Sequence, residues 1–204
     1  MSLFNLSVFV LLYKAKWSEN LRVKTDKGGG RSMKFYRALH PRPAVIIGSG
    51  NFKEGEVNLM ACSWITPISV EPPTIGFACA DKHYTRELID KHQAFSVILT
   101  EDYGLIFKVG STKGRETDKI KAFNIKIKPS PNLNLPLLEE GMAMFECKVR
   151  ERLLVGDHLF YVGEVLYWEA KDFEEEGFKE FWKLPLHRSG KSFVFCAKQV
   201  FIAE

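Results

Sequence analysis

The chain has 204 residues, enough for one large domain or two small ones and well above the size at which disulfides or metals must stand in for a core. Hydrophobic residues at 46% and charged residues at 26% exclude a disordered, collagen-like or membrane-spanning chain, and sixteen Phe favour strands and a flat-walled pocket over a plain helical bundle. The net charge of +4 sits in residues 1–32, which leaves 23 of 29 basic and 23 of 25 acidic residues for 33–204; a neutral body lacks the sustained basic face of a nucleic-acid binder.

In chain order, Leu3 to Leu12 is an apolar run too short to span a bilayer, with no Lys or Arg before it as a secretory signal would need. Neither export nor membrane attachment is expected. The polar stretch that follows ends in Gly28-Gly29-Gly30-Arg31-Ser32, directly before Met33. Its codons suit a purine-rich ribosome-binding stretch, so one expectation is that translation starts at Met33. The other is an ordered arm at 1–32 that buries Phe4, Val8 and Leu11. The body is one domain over 33–204.

Ala44 to Ile47 is β-rich and closes on the charged turn Lys53-Glu54-Gly55-Glu56, which predicts a hairpin with the return run Val57 to Thr66. Past Pro72-Pro73, Thr74 to Cys79 is another apolar strand. Both runs lack charge on either face, as in strands covered on both sides or lining a ligand. The period then changes: Tyr84 to His92 reads as a short helix with Leu88 and Ile89 inward, and Phe95 to Leu99 as the next strand. Ser111 to Arg115 is a polar, basic loop before a second short helix, Glu116 to Phe123. Phe145, Cys147 and Val149 alternate with charged residues, the period of a half-buried antiparallel strand. A turn at Gly156-Asp157 leads to its partner, His158 to Val165, and Ser192 to Ile202 closes the chain as a strand. Short connections predict an antiparallel barrel with small helices and exclude parallel winding.

No hydrolase, zinc-protease, P-loop or dinucleotide fingerprint occurs. Cys62, Cys79, Cys147 and Cys196 lie far apart among apolar residues, which reads as small buried thiols in a reducing cytoplasm and predicts no metal site. Two basic clusters at helix starts, Thr85-Arg86 and Lys113 with Arg115, suit a phosphate, since backbone N–H groups and paired guanidinium donors favour an anion there. Taken singly, each is more often a solvated cap than a ligand site. Asp118 and Lys119 read as a structural ion pair rather than as ligands.

Several ordered motifs carry a resemblance. Asn58-Leu59-Met60-Ala61-Cys62-Ser63-Trp64-Ile65-Thr66-Pro67 and its continuation to Pro73 resemble the signature of the flavin reductase-like, FMN-binding split-barrel family, which includes flavoredoxins and archaeal ferric reductases. His83 to Ile89 resembles the family's phosphate-side turn and helix, and Gly110 to Lys119 its S-G-R-x-x-D-K loop, with Lys113 where the family usually has Ser. Gly156-Asp157-His158 with Val162 to Val165 resembles the G-D-H and G-E-V strand pair, and Leu186 to Lys191 a late turn.

The resemblance implies a mainly β fold, a six-stranded antiparallel FMN-binding split barrel that forms a homodimer, with chemistry belonging to the flavin. It places Ser63, Trp64 and Ile65 along the isoalloxazine edge and Ala80 and Asp81 at the neighbouring strand end. His83, Thr85, Arg86, Ser111, Lys113 and Arg115 fall on the phosphate side, and Arg86→Ala is expected to weaken FMN binding by about 1–3 kcal/mol. His158 is assigned to the nicotinamide side as the catalytic residue, although a turn histidine equally serves to bond the backbone. Trp64 beside the ring has the ordinary alternative of core or interface packing. The implied activity is hydride transfer from NADH or NADPH through FMN to a flavin, ferric or protein acceptor. Two alternatives stand beside it: a flavoredoxin-like FMN carrier reduced by a ferredoxin-like partner, and a barrel without cofactor that serves as a binding module.

Overall fold

The computed structural model describes residues 34–200, so both expectations for residues 1–32 lie outside the described residues. From Arg37 onward the chain forms one unit. Strands β1 (Arg42–Pro43), β2 (Val45–Asn51), β3 (Glu56–Cys62), β4 (Ile65–Ser69) and β5 (Thr74–Ala80) lead to helix α1 (Tyr84–His92). Strand β6 (Ala94–Leu99) precedes α2 (Tyr103–Ser111) and the single turn α3 (Lys119–Ala122). Then come β7 (Ile127–Pro129), β8 (Pro136–Leu138), the long pair β9 (Ala143–Val155) and β10 (His158–Ala170), β11 (Phe173–Glu174), β12 (Gly177–Phe178), β13 (Leu186–Ser189) and β14 (Ser192–Val194).

The main sheet is antiparallel and has seven strands rather than six, in the order β3-β2-β6-β9-β10-β5-β4. Its edge strands β3 and β4 are joined by Ser63 and Trp64 alone, so the sheet curls back on itself, although no ladder pairs the two edges. The extra strand arises because the single return run expected over Val57 to Thr66 breaks at Ser63-Trp64. There the Trp64 carbonyl leaves the β2 side and accepts the Ala78 N–H at 2.9 Å. The expected closing strand is also shorter. Among the described residues of that run only Ser192–Val194 is a strand, and it pairs with β13, which pairs with β1, in a separate three-stranded sheet.

Alternation along the strands sorts the apolar residues onto two faces. Val45, Ile47, Met60, Cys62, Phe77, Cys79, Phe95, Val97, Cys147 and Tyr161 form one interior cluster. Ala44, Ile46, Leu59, Ile98 and Met144 face the other way, onto Ile106 and Val109 of α2 and onto Leu137 and Leu138. The Val45–Ile47 part of β2 and the Leu59–Cys62 part of β3 are therefore covered on both sides.

Helix α1 buries Leu88 and Ile89 as expected. Helix α2 lies where no helix was expected, because Gly104 and Gly110 are weak helix formers and the segment is apolar on most sides. Asp102 caps it by accepting the Leu105 N–H at 2.8 Å. The second predicted helix, Glu116 to Phe123, shrinks to α3. The β9–β10 hairpin turns at Gly156, whose φ of 61° is the left-handed region that suits glycine. No helix among the described residues is long and apolar enough to cross a membrane.

Candidate binding site

At the end of β3, a cavity of about 310 Å³ opens between Ala61, Cys62, Ser63, Gly110, Ser111 and His187. A Cβ built on Gly110 would lie 2.7 Å from that of Ala61, so only glycine lets the last turn of α2 approach β3 this closely. Two residues of separate motifs, Ser63 and Ser111, thereby line one cavity. A larger cavity of about 620 Å³, between Asp102, Lys126, Glu139 and Lys171, is lined by none of the predicted site residues.

From Ser63 and His187 on the wall of the smaller cavity, a connected series of side chains runs outward. His187 Nε2 lies 3.2 Å from the Gly190 carbonyl, which can only accept, so in the neutral ring Nε2 carries the proton. Nδ1 then accepts from Ser63 Oγ at 3.3 Å. Burial holds the His187 pKa below its usual 6.5, consistent with a neutral ring. His40 donates from Nδ1 to the His187 carbonyl at 3.0 Å and accepts from Arg42 Nη2 at 3.0 Å. The Arg42 guanidinium sits 5.6 Å from the centre of the Trp64 ring, and Trp64 stacks on His158 at 4.8 Å. His158 in turn lies 2.7 Å from Asp157 through Nδ1. Ala80 is the register partner of His158 on β5, and the Asp81 N–H donates to the Asp157 carbonyl at 3.0 Å. Ile65 opens β4 and packs against the interior cluster.

The predicted phosphate side gathers at the start of α1. Thr85 is 2% exposed, and its Oγ1 accepts from Asn58 Nδ2 at 2.9 Å. A Cβ on Gly114 would lie 2.3 Å from Asn58 Oδ1 and 3.2 Å from Tyr84, so the 111–115 loop is pressed onto α1 and β3. Each of the three predicted cations already meets a carboxylate: Arg86 meets Asp90 at 3.0 Å and Asp81 at 3.7 Å, Lys113 meets Glu116 at 2.9 Å, and Arg115 bonds Glu87. Asp90 also accepts from the Tyr161 hydroxyl at 2.9 Å and pairs with Arg152 at 2.8 Å.

The expected pair of Asp118 with Lys119 does not form. Asp118 caps α3 by accepting the Lys121 N–H at 3.2 Å and pairs with the Lys121 ammonium at 3.3 Å. Lys119 turns inward instead, 5% exposed, and donates to the Leu59 and Val109 carbonyls, each at 2.7 Å. Burial draws its pKa from 10.5 down to about 8. Burial, followed by the charges of Lys82, His158 and Lys119, holds His83 below its usual 6.5; its Nδ1 lies 3.1 Å from Met60 Sδ.

Burial also pushes the Cys62 and Cys79 thiols up to about 12, so neither is a thiolate near neutrality. Cys196, expected to be buried, is exposed. Glu54, Glu56 and His92 bring possible metal ligands within 4.8 Å of one another, but the Lys91 ammonium, 2.6 Å from Glu56, already supplies positive charge there.

Sequence reasoning missed Asn58 and His187 as site residues, although both lie in motifs it had marked, and it missed His40 and Arg42 altogether. It also misread Lys119, for which one signal was present. A lysine directly after a helix cap stands at the positive end of the helix dipole, the wrong end for a solvated cation.

Residues 36–187 match the family model of the flavin reductase-like domain. An uncharacterised protein of Pyrococcus abyssi is 34% identical over 176 residues, covering 84% of this chain and 100% of its own length. The NADH-dependent flavin reductase StyB of Pseudomonas fluorescens is 30% identical over 122 residues, 59% of this chain and 68% of StyB. Among solved structures, an FMN-binding protein from Thermus thermophilus superposes with a TM-score of 0.77 at 24% identity, covering 89% of this chain and 100% of that one. Flavoredoxin from Methanosarcina acetivorans gives 0.70 at 23% identity, covering 89% and 96%. At these identities the two structures establish the common fold.

Proposed function

The chain belongs to the flavin reductase-like domain family, and on that premise we propose that it binds FMN as a homodimer and passes electrons from NADH or NADPH through it to an acceptor. The observation that carries this reading is the meeting of three separated motifs on one cavity: Ser63 from the first, Gly110 and Ser111 from the second, and His187 from the late turn. At about 310 Å³ the cavity falls at the lower end of ligand sites, which run to about 300–1,000 Å³.

The residues fit a phosphorylated flavin. Gly110 and Gly114 let the end of α2 and the 111–115 loop close onto β3 and α1, which brings Ser111 to the cavity wall and Arg115 against Glu87 of α1. When bound, FMN supplies a ring that accepts hydride from a nicotinamide and hands electrons on. Ser63, Trp64 and Ile65 line the ring side, with the Ser63 hydroxyl oriented by the neutral His187 ring. His158, stacked on Trp64, takes the nicotinamide side in this reading. Ala80, Asp81 and His83 shape the strand end. Thr85, Ser111, Lys113 and Arg115 take the phosphate side, with Arg86 at its rim.

Titrating purified protein with FMN and then adding each nicotinamide without oxygen tests the reading. Quenched FMN fluorescence and bleaching of the flavin band by NADH or NADPH are expected. Bleaching by reduced ferredoxin alone would convert the reading to an electron carrier, and a protein that leaves FMN fluorescence untouched would end it.

A further inference from the structure

Three sulfur and nitrogen atoms from separate elements meet beneath the start of α1. His83 is the N-cap residue of that helix, yet its side chain makes no capping bond. Its ring turns inward instead, with Nδ1 3.1 Å from Met60 Sδ on β3 and 4.0 Å from Cys79 Sγ on β5. Thioether and thiol sulfurs are weak hydrogen-bonding groups, so the ring forgoes the backbone N–H groups of the helix for two poor partners. Met60 and Cys79 are buried in the interior cluster, while His83 is exposed, so the group is dry on one side and open to solvent on the other.

Thioether, thiol and imidazole together suit a soft cation, whereas magnesium and calcium take oxygen ligands. With bonds of about 2.0 Å to nitrogen and about 2.3 Å to sulfur, the 4.0 Å separation seats an ion between His83 Nδ1 and Cys79 Sγ at an angle of about 135°. Met60 Sδ, closer to the nitrogen, then stands roughly at a right angle to it, the place of a weak axial thioether. Charge selects among the soft cations. A single thiolate neutralises one positive charge, and among the described residues no Asp or Glu completes a ligand group with Cys79 and His83. A divalent ion would leave a net positive charge in this dry setting, where the charges of Lys82 and Lys119 already act on His83.

We propose that Met60, Cys79 and His83 form a binding site for one Cu(I) ion. The site goes beyond the flavin reading and does not depend on it, because none of the three residues lines the cavity at the end of β3. Binding exchanges the S–H bond of Cys79 for an S–Cu bond and releases that proton to solvent. The imidazole keeps its own proton on Nε2 and gives the Nδ1 lone pair to the metal, and copper stays in the same oxidation state throughout.

The test is to titrate the full-length protein with Cu(I), without oxygen and against a coloured Cu(I) chelator, in a Cys196→Ser background that removes the exposed thiol. One Cu(I) per chain is expected. Loss of an outer-shell partner alone costs about 10–100-fold in metal affinity, so Met60→Leu is expected to weaken binding about 10-fold and Cys79→Ser more than about 100-fold. X-ray absorption at the copper edge is expected to show sulfur and imidazole scatterers; it needs no further variant and decides the matter if Cys79→Ser fails to fold. A background protein that takes up no Cu(I), a folded Cys79→Ser that binds it as tightly, or a spectrum without sulfur or without imidazole overturns the proposal.

Discussion

Two cations on either side of the start of α1 differ in every respect that matters for binding. Arg86 is one-third exposed and lies against Asp90 and Asp81. Its neighbour Asp90 also serves Arg152 and the buried Tyr161 hydroxyl, so this region is a closed network of opposite charges. Lys119 is buried, bonds only carbonyls, and has had its pKa drawn down to about 8. A self-neutralised network stabilises the fold and has little charge left to offer a ligand. A buried ammonium held only by carbonyls burdens the fold, and its charge has not been matched by a carboxylate. Position in a basic motif therefore says less about anion binding than whether the charge already has a partner.

The largest effect that separates the regions is the response of flavin-free protein to alkali. Unfolded, Lys119 titrates near its ordinary 10.5; folded, it titrates at about 8. Between those values the unfolded chain binds more protons, so native stability rises with pH through this window. The rise is on the order of 3 kcal/mol, from about 1.4 kcal/mol per pH unit. The raised Cys62 and Cys79 thiols act in the opposite sense above about pH 9, so the contribution is read as a difference: in urea unfolding at a series of pH values the wild type should gain stability relative to Lys119→Met between about pH 8 and 10.5. A difference between the two that stays flat over that range would mean that Lys119 is better solvated than its burial indicates.

The Asp90 network should respond in the opposite sense to truncation. Asp90→Ala leaves the fully buried Tyr161 hydroxyl without its acceptor, Arg152 without its carboxylate and Arg86 with Asp81 alone, an expected loss of about 1–3 kcal/mol in unfolding free energy. FMN binding should survive in this variant, because the charges it disturbs were spent on each other. Loss of binding with stability intact would move the phosphate to the Arg86 side.

His83 is a smaller handle. Its folded pKa is depressed, so its neutral form contributes stability that is present above about 6.5 and fades as pH falls below it. His83→Gln should flatten the acid limb of the stability profile between pH 7 and 5 relative to wild type, and an unchanged limb would assign that limb to other groups.

How much of this was legible in the sequence follows the same division. The alternation of Phe145, Cys147 and Val149 marked β9, the Gly156-Asp157 turn marked its hairpin with β10, and Leu88 with Ile89 marked the inner face of α1. Local patterns such as these need no knowledge of the rest of the fold. The break at Ser63-Trp64 has no Gly or Pro to announce it. It follows from the two sheet edges having to meet, which is a global constraint. The motifs located the cavity because they are runs of sequence, and Ser63 and Ser111 do converge on it. Lys119 and Asn58 escaped because a polar residue in sequence reads as solvated until packing shows that it is enclosed.

The smallest effect sharpens the comparison most. The sequence alone put Arg86 in the phosphate grip, with a loss of about 1–3 kcal/mol on truncation to alanine. In the structure its guanidinium lies 3.0 Å from Asp90, one turn along the same helix, and is partly in water, the setting in which an ion pair contributes about 0.2–1 kcal/mol. Arg86→Ala should therefore lower unfolding free energy by less than about 1 kcal/mol and weaken FMN binding, read by fluorescence quenching, less than Lys119→Met does. The comparison holds because both variants remove one positive charge near the same helix start and differ in whether that charge was already matched. If Arg86→Ala abolishes FMN binding while Lys119→Met spares it, ligand binding must pull Arg86 away from Asp90, and the cation that matters is the one the motif resemblance named.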